Sequence, residues 1–177
     1  MKWFIKCFKQ YVDFNGRARR KEYWFFALFN FLITMVLMCI WVGPVFAAAF
    51  SAGLNGTEID EVDIVQQMVT NPALYIWMLY YFAALIPGIA VTVRRLHDIG
   101  KSGFWAFLIY GGSLLAIFSN MPEQSAAAKA VLSLVQLGIA IVGLVWMFTD
   151  SQPGENQWGP NPKEAPIPDE MTPNDLI

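Results

Sequence analysis

The chain has 177 residues, of which 56% are hydrophobic and only 15% charged, and its formal net charge is −2. Soluble domains carry roughly 25% charged residues, so a surface wholly exposed to water is excluded. No basic excess points to a nucleic-acid partner, and two isolated cysteines (Cys7 and Cys39) make neither a metal site nor an expected disulfide.

Residues 2–14 read as an amphipathic helix, with Trp3, Phe4, Cys7, Phe8, Tyr11 and Val12 on one face and Lys2, Lys6, Lys9, Gln10 and Asp13 on the other. Aromatic bulk opposite lysines is the pattern of a helix lying in the membrane interface. The alternative is a helix docked on another part of the protein. Four apolar stretches follow, at 25–46, 74–93, 104–121 and 130–148, the third being the shortest. Each approaches the roughly 20 residues that cross the hydrocarbon, and Trp24, Trp77, Trp105 and Trp146 lie near their ends, where aromatic belts sit. Pro44 falls near the far end of the first stretch, and Pro87 sits beside a small-residue face, Ala84-x-x-x-Gly88, suited to close helix packing.

Between the first two stretches, 51–73 is acidic (Glu58, Asp60, Glu61, Asp63), has no base, and reads as an external loop. Of the twelve Lys/Arg, all but Lys129 fall in segments that share one side if every stretch crosses. Cytoplasmic loops keep the basic residues. The expected fold class is therefore an all-α integral membrane protein with four transmembrane helices in two hairpins. An N-terminal interfacial helix precedes them and a flexible C-terminal tail follows. The divisions are 1–23 (cytoplasmic helix and basic motif), 24–149 (transmembrane domain) and 150–177 (Pro-rich acidic tail). Both termini and the loop 94–103 are expected on the cytoplasmic side, and the link 122–129 outside.

Three polar clusters fall at that cytoplasmic interface: Phe14-Asn15-Gly16-Arg17-x-x-Arg20-x-Glu22-Tyr23-Trp24, then Arg94-Arg95-Leu96-His97-Asp98-Ile99-Gly100-Lys101-Ser102-Gly103-Phe104-Trp105, then Gln152-Pro153-Gly154-Glu155-Asn156-Gln157-Trp158-Gly159-Pro160-Asn161-Pro162. In these motifs the sequence resembles the YhaH/YhaI-like bacterial inner-membrane proteins of unknown function, from about residue 14 to residue 162. The resemblance implies a small polytopic inner-membrane protein and no established reaction, substrate or cofactor. Trp158 stands where the family pattern has a smaller aromatic, usually Tyr, and 51–73 looks like a family-variable insert.

Read from the residues, Arg17, Arg20, Arg94 and Arg95 are candidates to hold anionic headgroups or a partner's acidic surface by forked hydrogen bonds. Membrane lipids are the first expected partners; a second copy or another membrane protein is the alternative. Two structural readings compete with this one: the arginines only fix orientation, or Arg17 or Arg20 pairs with Asp98 or Glu22 to pin the N-terminal segment to the loop. Glu22, His97, Asp98, Ser102, Asn156 and Trp158 are read as organising the platform, with Asn156 bonding to the 94–103 loop and Trp158 packing on the membrane interface. His97 with Asp98 would be an acid/base pair in a membrane enzyme or carrier, the runner-up reading. Neighbours in sequence rarely face each other, so Asp98 is expected on an arginine instead. Gly100-Lys101-Ser102 is not the end of a P-loop, because Arg95 stands where that motif needs glycine; the glycines read as turn residues and Ser102 as a helix cap.

Overall fold

The computed structural model describes residues 2–58, 60–119, 121 and 124–164. These fold into six helices: α1 (Lys2–Lys9), α2 (Arg20–Asn55), α3 (Glu61–Thr70), α4 (Pro72–Asp98), α5 (Trp105–Ser119) and α6 (Ala126–Phe148). No strand occurs among the described residues, only an isolated bridge between Asn156 and Gly159. Three helices, α2, α4 and α6, are long and apolar enough to cross a membrane. The 15 residues of α5 rise about 22 Å, short of the roughly 30 Å of a hydrocarbon core. The principal pairings are α2 along α4 and α5 along α6, with α4 also packed on α5.

The chain departs from its sequence reading most at 51–73. In place of an irregular loop, α2 runs on past Pro44 to Asn55, 36 residues or about 54 Å, and α3 follows. The acids then open α3. Asp60 caps it, its carboxylate accepting from the Val62 N–H at 3.0 Å, and Glu61 and Asp63 lie in the first turn. Acids there offset the positive end of the helix dipole. Trp41 of α2 donates its indole N–H to the Met68 carbonyl at 2.9 Å, satisfying an acceptor in the last turn of α3. Asn71 then caps α4 and donates back to the Trp41 carbonyl at 3.0 Å.

The N-terminal helix ends earlier than its pattern predicts, at Lys9, and docks on α2 and α4. Cys7 is fully buried, and Phe4 and Phe8 lie against Phe26 with ring centroids 5.7 and 6.0 Å apart. Phe4, Cys7 and Phe8 are thus engaged with protein, while Val12 stays exposed. Tyr11 continues the docking. Pro87 has no N–H, so the Ala83 carbonyl one turn back loses its helical donor; the Tyr11 hydroxyl supplies one at 2.8 Å. The beginning of the expected flexible tail is packed into the structure, as described below, and the rest of it, 165–177, lies outside the described residues.

This pairing makes a sharp prediction. Tyr11→Phe should cost about 1 kcal/mol in a denaturant titration of the membrane-reconstituted protein. In a Pro87→Ala background, where an amide N–H returns to bond Ala83, the same change should cost close to nothing.

Candidate functional site: a buried arginine–carboxylate clasp

The three polar clusters meet at one end of the helix bundle, where α4 and α6 end and α2 begins. Asp98 is the centre and is fully buried. One carboxylate oxygen accepts from Arg17 Nε at 3.1 Å. The other accepts from the Arg95 guanidinium and from the Ser151 hydroxyl, the latter at 2.6 Å. Its peptide carbonyl accepts from the Gln152 N–H at 2.8 Å.

Arg17 reaches this point because Asp13, Asn15 and Gly16 turn the chain away from α1. The Asp13 carboxylate accepts from the Asn15 N–H at 3.1 Å, and Gly16 takes a positive φ of 78°. The guanidinium then donates to the carbonyls of Gly154 (2.7 Å), Gly159 (3.2 Å), Asp98 and Gln152. Those carbonyls converge because the tail closes a tight turn: Asn156 and Gly159 exchange both backbone hydrogen bonds, and the Asn156 side chain accepts from the Trp158 N–H at 3.0 Å. Arg95 donates to the Thr149 carbonyl at the end of α6. The side chains of Arg17, Arg95 and Asp98 are at most 1% exposed.

A second pair lies alongside. Glu22, in the first turn of α2 and 1% exposed, accepts from Lys6 Nζ at 2.7 Å and pairs with Arg94 at 3.3 Å. Arg94 also donates to the Gln10 side chain. Burial, reinforced by the Glu22 carboxylate, pushes the Cys7 thiol up to about 12.

His97 and Asp98 do not face each other. The His97 ring stacks on Trp158 with centroids 4.5 Å apart and an interplanar angle of 8°, and its Nδ1 meets the Gly16 carbonyl at 3.2 Å. Trp158 thus packs on histidine and stays partly exposed. Asn156 donates to the His97 carbonyl at 2.9 Å, the loop contact expected of it. Ser102 is exposed and accepts from the Phe104 N–H at 3.3 Å, in the turn before α5. Arg20 is the outlier among the four arginines: its side chain is 41% exposed, and it pairs with Asp150 at 3.2 Å.

The backbone at position 100 favours glycine. Lys101 N–H bonds the Leu96 carbonyl at 2.8 Å and Gly100 N–H the His97 carbonyl at 3.1 Å, the Schellman closure of α4, with Gly100 at φ 75°. A Cβ there would also lie 2.8 Å from Gln152 Oε1. Sequence reasoning missed Lys6, Gln10, Ser151 and the carbonyls of 149, 152, 154 and 159. Backbone acceptors leave no trace in residue type, and the short polar side chains resemble ordinary loop residues.

An all-helical bundle with long apolar helices and its polar motifs gathered at one end defines an integral membrane protein. The chain belongs to the family described as "Protein of unknown function (DUF805)", whose model matches residues 11–160. It is 28% identical to inner membrane protein YhaI of Escherichia coli (strain K12) over 163 residues, 92% of this chain and 97% of the relative. It is 30% identical to inner membrane protein YhaH of the same strain over 169 residues, 94% of this chain and 100% of the relative. The uncharacterized protein YiiR of that strain is 30% identical over 161 residues, 86% of this chain and 88% of the relative. No solved structure matches the chain.

Two outcomes follow from the clasp. Asp98→Ala strands two buried guanidinium groups and should cost about 3–5 kcal/mol, whereas Arg20→Ala, which breaks an exposed pair, should cost under about 1 kcal/mol; unfolding titrations of the two variants compare them directly. N-ethylmaleimide at pH 8 should leave Cys7 largely unmodified in the folded protein, since the thiolate is the reactive form, and should modify it readily in Asp98→Ala.

Proposed function

We propose that this protein is a four-span inner-membrane protein with both termini in the cytoplasm, whose cytoplasmic face is a rigid, non-catalytic platform resting on anionic lipid headgroups. The observation that carries this reading is the complete internal use of Arg17, whose donors all go to Asp98 and to carbonyls of the tail. A guanidinium so engaged frames a surface and has no donor to give a ligand. Arg94 and Arg95 are equally buried beside it, Arg94 on Glu22 and Gln10 and Arg95 on Asp98 and the Thr149 carbonyl, with Arg94 Nη2 and Arg95 Nε left without a hydrogen bond among the described residues. Headgroup contact then falls to the rim, where Lys9, Lys21 and Lys101 are exposed and Arg20 is partly so.

Several features support the orientation. The basic residues collect at the clasp end, while Lys129 lies in the first turn of α6, at that helix's other end. Two relatives are inner membrane proteins by name. In the four-span reading α5, with its short rise, crosses as the partner of α6, helped by the aromatic groups at its clasp end, where Trp105 meets Trp146 edge-on at 5.4 Å. The His97/Asp98 enzyme reading gains no support, because Asp98 is committed to two arginines and His97 to Gly16 and Trp158.

Near an anionic leaflet each basic residue is worth about 1 kcal/mol. Native mass spectrometry of protein in mixed phosphatidylglycerol/phosphatidylcholine nanodiscs should show phosphatidylglycerol retained by the wild type. Retention should fall at least about tenfold when Lys9, Arg20, Lys21 and Lys101 are all changed to Gln. Equal retention by the two proteins would remove the lipid platform.

A further inference from the structure

A cavity of about 340 Å³ lies between α2, α4 and α5, beneath the clasp and along the apolar part of the bundle. That volume falls within the roughly 300–1,000 Å³ of small-molecule sites. Its floor is α4. Its loosest wall is between α2 and α5, whose Cα atoms nowhere come within 8 Å of each other among the described residues. The gap between those two helices is therefore the side from which a lipid would enter.

The lining is unlike the apolar surface around it. Seven of its residues carry a hydroxyl or amide and none is charged. Tyr80 donates to Asn30 Oδ1 at 2.8 Å, an arrangement that turns the donor end of the amide, Nδ2, to other partners. Thr92 donates to the Gly88 carbonyl at 2.8 Å and lies 3.2 Å from the Tyr110 hydroxyl. The rings of Phe26 and Phe31 complete the walls. From Thr92 to Tyr80 this polar strip runs about 18 Å down α4. Polar groups at that depth find no water in the hydrocarbon and are costly unless something satisfies them. Charged ligands are disfavoured there because no counter-charge lines the site.

We infer that this cavity is a lateral binding site for a neutral lipid whose polar end is a carbonyl or hydroxyl oxygen rather than a phosphate. Asn30 would donate to that oxygen, with the aromatic walls around its attachment point and the apolar chain leaving through the α2/α5 gap. Two membrane sources carry this chemistry, quinones and acylglycerols.

The experiment is photolabelling of the full-length protein in phosphatidylcholine nanodiscs with three probes: an azidoquinone, a diazirine diacylglycerol and a diazirine phosphatidylcholine. One of the two neutral probes should label 23–34 of α2 and 80–92 of α4, and its unlabelled counterpart should compete; which probe does so names the source. Asn30→Leu should reduce that label about fivefold, the effect of one lost hydrogen bond. Ala27→Phe, which adds a ring from the wall, should abolish it while leaving the unfolding titration and the Cys7 protection of the wild type unchanged. Labelling of these segments by the phosphatidylcholine probe to the same extent, or neutral-probe labelling that neither competitor nor variant reduces, would overturn the site.

Discussion

One carboxylate, that of Asp98, organises this protein. It is shared by Arg17 from the N-terminal segment and Arg95 from its own helix, and Ser151 of the tail completes it. Three stretches far apart in sequence are held by one buried group. Burying ions is expensive, and such a cluster is weak evidence of net stability by itself. What it supplies is registry: the arrangement that joins the three segments gives Arg17 and Asp98 their full set of partners, and drawing any one segment away strands a buried charge.

The charges at this end do not balance by residue type alone. Arg17, Arg94 and Arg95 outnumber Glu22 and Asp98 among the buried groups. The remainder is met by backbone. Both α4 and α6 end at the clasp, so their negative dipole ends and last carbonyls point at it, and Arg95 takes the Thr149 carbonyl directly. The N-terminus of α2, the positive end of its helix, meets Glu22 in its first turn. The directions of the helices and the placement of the ions are thus one electrostatic solution. It also places His97 and Asp98 apart: the His97 ring stacks on Trp158, and the Asp98 carboxylate is shared by two arginines.

Much of this was legible in the sequence, for identifiable reasons. Apolar length gave the long helices, and the Arg-Arg-Leu-His-Asp-Ile-Gly stretch marked the loop on which the rest converges. The pairing of Asp98 with an arginine and the reach of Asn156 to the loop followed from simple geometry. Other features were not legible. Within the acidic segment, Asp60, Glu61 and Asp63 form the opening of a helix, α3. The first apolar stretch reads to residue 46, and α2 runs on to Asn55. Arg17 pairs with Asp98, as one of the structural readings had it, but its other acceptors are carbonyls brought near by a tail turn. Sequence periodicity reports what a segment is; it is silent on which distant backbone satisfies it.

The central claim is that Asp98 holds the three segments as a unit, and hydrogen exchange of the reconstituted protein tests it most directly. Three amides report on it: Ala18, bonded to the Arg94 carbonyl at 3.0 Å, Gln152, bonded to Asp98 at 2.8 Å, and Gly159, bonded to Asn156 at 2.9 Å. In Asp98→Asn all three should lose protection together, while amides in the middle of α6 stay as slow as in the wild type. Loss confined to Gln152, with Ala18 and Gly159 still protected, would show that the segments are held independently and that no clasp exists.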